Sequence, residues 1–311
     1  MFSLVIPVYR NERSIPELVA VLEELSRAME GDFEAVLVVD GSPDRSLELL
    51  SELLAHAPFA SQLIALSRNF GSFAAISAGL AAARGELYAV MAADLQEPPE
   101  LILQFRARLL ADEADVILGT RSERSDPLGK RLSSALFWAL YRKLVQPDVP
   151  RGGVDVFACN RVFRQHLLAL GERNTTLVGL VCWLGFRRSE VGYVRRPRRH
   201  GKSAWSLSRR LRYLLDSTFA FSDLPVRLLS LVGLSGMLLS VILAVLVLAA
   251  KARGAIPVPG YAATVLAVMF FGGLNSFGLG LLGEYIWRAF ENTKSRPPYV
   301  VARQWRFGGE E

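Results

Sequence analysis

The sequence predicts an α/β domain built on a parallel sheet, then an amphipathic juxtamembrane helix, then two helices that cross a membrane. Three observations carry this reading. Short apolar strands alternate with helical patterns over the first 120 residues, as a sheet with crossover helices requires. Two stretches, Leu228 to Ala250 and Tyr261 to Gly283, run without a charge, and each is long enough to cross a hydrocarbon core of about 30 Å. A strongly basic segment lies between the domain and the first stretch.

Taken in order, strands are expected at Phe2 to Val8, Phe33 to Val39, Gln62 to Leu66, Glu86 to Ala92 and Ala114 to Gly119. Each is an apolar run bounded by turn residues. A helix fits Ser14 to Met29, with Ser14 as N-cap and Glu17 three residues on completing a capping box. A second helix starts near Pro43, a third near Ser72, and Pro98-Pro99 opens a fourth, since proline suits the first helical turn. Beyond Gly119 the period is less regular. Leu128 to Leu144, with Phe137, Trp138 and Tyr141, reads as an amphipathic helix, Val154 to Ala158 as a strand and Val162 to Leu170 as a helix. From Leu207 onward Leu211, Leu214 and Leu215 share one helix face beside arginines. That pattern suits a helix lying in the membrane interface or one packed on the soluble domain, before the chain turns inward near Pro225. The organisation expected is therefore a domain over 1–200, a basic amphipathic segment over 201–225, a two-helix membrane region over 226–288 and a tail over 289–311.

The net charge of +6 is unevenly placed. Arg187, Arg188, Arg195, Arg196, Arg198, Arg199, Lys202, Arg209, Arg210 and Arg212 crowd one segment. A solvated basic face is the plain explanation. Its position before a span points instead to anionic lipid headgroups or a lipid phosphate. No nucleic-acid-binding motif accompanies the charge, so no nucleic acid partner is expected. Arg209, Arg210, Arg212 and Arg227 precede the first apolar stretch, and Arg288, Lys294, Arg296 and Arg303 follow the second, whereas the connection carries only Lys251 and Arg253. Both termini and the α/β domain are therefore expected on the cytoplasmic side of a plasma (inner) membrane. The opening Phe2-Ser3-Leu4-Val5-Ile6-Pro7 reads as a strand and not as a cleaved signal. Cys159 and Cys182 lack metal-ligand spacing and are expected to be buried thiols. In the second span Gly272, Ser276 and Gly280 form a small-residue face around Asn275. It is expected to pair with the first span, with a homo-oligomer as the other use.

Ligands of parallel α/β sheets gather beyond the carboxyl ends of the strands. Four turns fall there: Pro7-Val8-Tyr9-Arg10-Asn11-Glu12, Asp40-Gly41-Ser42-Pro43-Asp44, Ser67-Arg68-Asn69-Phe70-Gly71, and Ala92-Ala93-Asp94-Leu95-Gln96-Glu97-Pro98-Pro99-Glu100. Any one alone is a capped turn. Four along one sheet edge make a cleft.

This ordered set resembles the family 2 glycosyltransferases of the GT-A fold, in particular the polyisoprenyl-phosphate glycosyltransferases, which include dolichyl-phosphate mannose synthases and bacterial GtrB-type enzymes. The likeness extends to His200-Gly201-Lys202-Ser203-Ala204-Trp205, to Gly283-Glu284-Tyr285-Ile286 and to Lys294-Ser295-Arg296-Pro297-Pro298-Tyr299. The chain departs from the pattern where Ala92 replaces the first acidic residue of an Asp-x-Asp metal motif and where Val39 precedes Asp40.

The resemblance implies a Rossmann-like GT-A domain that moves a sugar, with inversion, from a nucleotide-sugar donor to a polyprenyl phosphate. A UDP-sugar and undecaprenyl phosphate are the expected substrates. It implies that Pro7, Tyr9, Glu12, Asp40 and Asp94 line the donor pocket, with Arg68 and Asn69 beside them. Asp94 and Gln96, with Glu97 near, would hold Mg²⁺ or Mn²⁺, which favour carboxylate and water oxygens. Asp155 would be the catalytic base. Arg196, Arg199, His200 and Lys202 would grip the lipid phosphate. Ala92 also leaves room for a different reading, a membrane-anchored nucleotide-sugar-binding scaffold without catalysis.

Overall fold

The structure, a computed structural model, describes residues 1–123, 142, 149–150, 154, 156–172, 175–197, 215–253 and 260–308. The expected helix 128–144 apart from residue 142, the residues Asp155, Arg199, His200 and Lys202, and most of the segment 201–225 lie outside them.

Among the described residues, seven strands and six helices form the α/β domain before the long helices: β1 (Phe2–Val8), α1 (Ile15–Ala28), β2 (Phe33–Val39), α2 (Ser46–Leu54), β3 (Ala60–Leu66), α3 (Ser72–Ala82), β4 (Leu87–Val90), α4 (Pro99–Leu110), β5 (Val116–Glu123), β6 (Val156–Asn160), α5 (Arg161–Ala169), α6 (Leu177–Trp183) and β7 (Arg188–Val194). An eighth strand, β8 (Val301–Phe307), follows the last helix. The strand order is β7-β5-β6-β4-β1-β2-β3-β8. β1 lies parallel between β2 and β4, with Val5 opposite both Val36 and Val90. β6 runs antiparallel to β4 and β5, and β8 antiparallel to β3. The sheet is thus mixed: β1 to β5 run in one direction, as the first 120 residues predict, and β6 and β8 run against them.

Strand alternation divides the core into two layers. Phe2, Leu4, Ile6 and Val8 of β1 pack with Leu18, Leu22, Leu50, Ile102 and Phe105, from α1, α2 and α4. Val5, Val36 and Val38 face the opposite layer with Ala75, Ala78, Phe163 and Leu180, from α3, α5 and α6. Helix α1 buries Ile15, Leu18, Val19, Leu22 and Leu25, the spacing of one helical face. Its expected capping box does not form: Ser14 makes no side-chain cap bond, and its hydroxyl donates to the Asn11 carbonyl at 3.0 Å. Cys159 and Cys182 are free and buried.

The segment expected as a tail supplies β8, which closes the sheet edge. The Ser67 amide donates to the Val300 carbonyl at 2.9 Å, and Gln304 Nε2 to Gln62 Oε1 at 2.8 Å. Gln62 in turn donates to Glu34 Oε1 at 2.9 Å, where the fully buried Glu34 also accepts from Ser3 Oγ and Arg84 Nε. Trp305 and Phe307 pack against the first core layer.

Two long helices separate β7 from β8: Leu224–Ala252, of 29 residues, and Tyr261–Thr293, of 33. Within the second, Ala267–Thr293 is long and apolar enough to cross a membrane by itself. A short helix, Leu215–Phe221, bends 81° into Leu224–Gly236, and the two pass that test only together. The long helices approach at Gly278, where a Cβ would meet Leu229 at 3.6 Å, and at Gly236, where it would meet the Phe271 ring at 3.3 Å. The expected pairing through Gly272, Ser276 and Gly280 is not the one observed. Gly272, Ser276 and Gly280 are exposed, and among the described residues a Cβ at Gly272 or Gly280 would meet nothing within 4 Å, so that stripe faces away from the first long helix.

Candidate active site

The four expected turns do lie side by side, since β4, β1, β2 and β3 are neighbouring parallel strands. Asp40 follows β2 and is 2% exposed. Its Oδ1 accepts the Phe70 amide at 2.7 Å and its Oδ2 the Gly71 amide at 2.8 Å, while Asn69 Nδ2 donates to the Asp40 carbonyl at 3.2 Å. The loop after β3 is thereby tied to the end of β2. Gly41 makes the closest approach there, with φ of 56°, and a Cβ would lie 2.3 Å from the Arg68 carbonyl carbon and 2.4 Å from the Asn69 nitrogen.

A second knot joins the loops after β1 and β2. Asp44 Oδ1 accepts from Ser42 Oγ at 2.6 Å, Ser46 Oγ at 2.7 Å and the Ser46 amide at 3.3 Å, and Oδ2 from the Glu12 amide at 3.2 Å. Glu12 Oε2 accepts the Arg45 amide at 3.3 Å, and the Arg10 amide donates to Ser42 Oγ at 2.8 Å. Burial alone would raise the Asp44 carboxyl, but these bonds outweigh it and hold it below its ordinary value. Asp44 was not among the expected site residues. Its signal was local: an aspartate two residues before a serine amide at a helix start is an Asx-type turn.

Around these knots stand the groups left to meet a ligand. Pro7 is half-buried and Tyr9 exposed, with the Arg10 guanidinium 5.4 Å from the Tyr9 ring. Arg68 and Asn69 are exposed, and the Arg68 guanidinium stacks 4.1 Å from the Phe70 ring centroid.

After β4, Asp94 is half-buried and its Oδ1 accepts the Gln96 amide at 3.4 Å. Leu95 sits at φ of 55°. Gln96 and Glu97 are buried. Glu97 Oε2 turns back to accept the Ala92 amide at 3.3 Å, so it braces the loop from behind. Gln96 clasps Arg196 twice, its carbonyl accepting the Arg196 amide at 2.8 Å and its Nε2 donating to the Arg196 carbonyl at 3.2 Å. Arg196 also reaches Glu100 through Nη2 at 3.4 Å. A cleft of about 270 Å³ opens beside this junction, lined by Glu17, Leu95, Glu97, Arg196 and Pro197 among others. The structure therefore places Pro7, Tyr9, Glu12, Asp40, Arg68, Asn69 and Asp94 along one sheet edge and joins Arg196 to Gln96.

Among the described residues no three His, Cys, Asp or Glu side chains converge to hold a metal ion. Mg²⁺-type sites routinely use one or two carboxylates and take their remaining oxygens from water and substrate phosphate. Asp94, with Gln96 next to it, fits a cation held in that way and not a preformed protein cage.

The sequence profile described as Glycosyl transferase family 2 matches residues 3–170. The chain belongs to glycosyl transferase family 2. Relatives within this family match it over nearly its whole length. It is 37% identical over 309 residues to the undecaprenyl-phosphate 4-deoxy-4-formamido-L-arabinose transferase of Pseudomonas paraeruginosa, covering 97% of this chain and 90% of that protein. It is 30% identical over 305 residues to the SfII prophage-derived bactoprenol glucosyl transferase of Shigella flexneri, covering 98% of each. The fold is the GT-A α/β fold. It is similar to that of glucosyl-3-phosphoglycerate synthase from Mycobacterium tuberculosis, solved with Mn²⁺, UDP and glucosyl-3-phosphoglycerate. That likeness has a TM-score of 0.52 at 18% identity and covers 70% of this chain and 80% of the other.

Proposed function

We propose that this family 2 glycosyltransferase moves a sugar from a nucleotide donor, a UDP-sugar, to a polyprenyl phosphate, undecaprenyl phosphate, at the cytoplasmic face of the plasma membrane. One observation carries the reading. The likeness to an undecaprenyl-phosphate transferase and a bactoprenol transferase is not confined to the α/β domain but runs on through both long helices.

The chemistry follows from the residues at the sheet edge. Tyr9 and the loops held by Asp40 and Asp44 receive the nucleotide, and Asp94 faces its diphosphate. A divalent cation, Mg²⁺ or Mn²⁺, supplies neutralisation of the departing diphosphate when bound, and Asp94 with Gln96 would hold it. The acceptor phosphate has a second pKa of about 6 by analogy with phosphomonoesters, so it needs positioning more than deprotonation. Arg196, Arg199, His200 and Lys202 position it, and Asp155 acts as base toward it. An oxygen of the lipid phosphate bonds to the anomeric carbon as the bond to the nucleoside diphosphate breaks, giving a β-linked product from an α-linked donor.

Topology has its own support. β8 pairs with β3 of the catalytic sheet, which supports a chain that leaves and rejoins the same side of the membrane and crosses it an even number of times. Together with the span Ala267–Thr293 this favours two crossings, the other being Leu224–Ala252, with both termini cytoplasmic.

The test is transfer from a panel of radiolabelled nucleotide sugars to undecaprenyl phosphate in detergent, with Mn²⁺, Mg²⁺ or EDTA. One donor giving an organic-extractable product is the expected result. Silence with every donor, persisting in an Ala92→Asp chain, would favour the scaffold instead. Full turnover by Asp155→Asn would remove Asp155 from the mechanism, and a product that keeps the donor's anomeric configuration would exclude single displacement.

A further inference from the structure

We infer that Arg288 is a positioning residue: it locks the segment before the first long helix onto the second, and thereby sets how the catalytic cleft meets the bilayer-bound acceptor. The inference rests on the acceptor reading above. Arg288 lies near the end of the helix Tyr261–Thr293 and is only 14% exposed. Its Nη2 donates to Asp216 Oδ1 at 2.9 Å, and its Nε to Glu284 Oε1 at 2.8 Å. Its guanidinium also stacks 4.9 Å from the Phe219 ring, and Phe219 meets Tyr285 edge-on at 5.2 Å.

The Glu284 contact is an i,i+4 pair that a lone helix makes by itself. The Asp216 contact is different, because it spans 72 positions and joins two separate elements. Asp216 and Phe219 belong to the short helix Leu215–Phe221. That helix is itself seated on the catalytic domain, where Phe221 packs against the second core layer. Its ring lies so near Gly179 of α6 that a Cβ there would be 2.3 Å away. A continuous path thus runs from α6 through Phe221, Phe219 and Asp216 to Arg288. β8 supplies a second attachment of the same long helix to the same domain. Two attachments fix an orientation where one would leave a swivel.

The cluster also sits where the helix would leave a bilayer. Trp287 and Phe290 are exposed, and Lys294 Nζ stands 4.9 and 4.5 Å from their ring centroids, the aromatic and cationic pattern of a membrane-water boundary. Charge pairs are screened less there than in bulk water. Asp216 and Glu284 both pair with the Arg288 guanidinium, and the part assigned to it is to hold the domain.

Double electron–electron resonance in nanodiscs tests this. Nitroxides on Glu24→Cys of α1 and Leu279→Cys of the second long helix report the domain-to-anchor distance, since both positions are exposed and the native Cys159 and Cys182 are buried. The parent gives one narrow distance. Asp216→Ala and Arg288→Gln broaden it and raise the KM for undecaprenyl phosphate about tenfold, while the KM for the nucleotide sugar stays unchanged. The double reversal Asp216→Arg with Arg288→Glu restores both readouts, which a merely misfolded variant would not do. A distance as narrow in Asp216→Ala as in the parent overturns the lock, and a broadened distance with unchanged acceptor KM overturns the positioning role. A parent that glycosylates no polyprenyl phosphate overturns the acceptor reading instead, and the distances alone then decide the lock.

Discussion

Asp40 holds Gly71 by its backbone: Oδ2 accepts the Gly71 amide at 2.8 Å while Oδ1 takes the neighbouring Phe70 amide at 2.7 Å. A buried carboxylate that accepts two amides from another loop shapes the proposed donor pocket before it contacts anything in it. Asp40→Asn keeps one acceptor but turns an amide donor toward the other N–H. The expected loss is about 1–3 kcal/mol of stability together with weaker UDP binding, read by chemical denaturation and calorimetry. Unchanged stability would mean that the loop is held elsewhere.

Gly41→Ala should be among the most damaging small substitutions in the domain. The left-handed backbone costs about 1–2 kcal/mol for any residue with a Cβ, and here the Cβ would also enter the backbone of Arg68 and Asn69, which cannot swing aside. Thermal unfolding of the purified protein should show the loss. By contrast Gly272→Ala, where a Cβ meets nothing within 4 Å, should leave the same measurement unmoved.

Metal binding should require the nucleotide. With Ala92 in place of a second carboxylate and no three-ligand cluster among the described residues, Mn²⁺ alone should bind weakly and UDP should tighten it. Ala92→Asp should strengthen binding to the nucleotide-free protein by about tenfold through the added ligand charge. Electron paramagnetic resonance of free Mn²⁺ measures both. Tight binding without nucleotide in the parent would disprove the shared-ligand arrangement.

Asp44 gives a pH dependence of definite sign. Its carboxyl is held below the ordinary value by the bonds from Ser42, Ser46 and the Glu12 amide, against the opposing effect of burial. The stability it contributes is therefore complete above the ordinary aspartate range, about pH 4, and is lost as the pH falls through the lower folded-state value. The gap in unfolding free energy between parent and Asp44→Ala should be constant above about pH 5 and shrink in stronger acid. A gap that widens toward acid would contradict the assignment.

Legibility followed burial and sequence distance. β1 and β2 were readable with the bounds they have, because both faces of each are covered and the apolar run is unbroken between turn residues. The four turns at the sheet edge were readable for the same reason. Ser14 has the right neighbours for a capping box, yet a carbonyl three residues back takes its hydroxyl proton. Arg187 belongs by sequence to the basic run. It pairs with Asp112 and Asp115, more than seventy positions away, and a long-range partner leaves no local trace. β7 lies inside that same run, and most of its positions are not buried, so no apolar run marks it. Nor does one mark β8, because it is a largely exposed edge strand that lies beyond the apolar helices.

The place of β8 in the chain also orders the protein's assembly. Gln62 and Gln304, hydrogen-bonded across the finished edge, are separated by 242 positions. Closing so long a loop makes this pairing a late event. A ribosome emits β1 to β7 first, then both apolar helices, and only afterwards the strand that covers β3. Until then the catalytic sheet carries an open edge, the kind of surface that invites wrong partners. A chain that inserts with an odd number of crossings strands β8 on the far side and never closes that edge. Under the proposed two-crossing topology, the pairing of β8 with β3 would make the stability of the sheet depend on how the two helices insert.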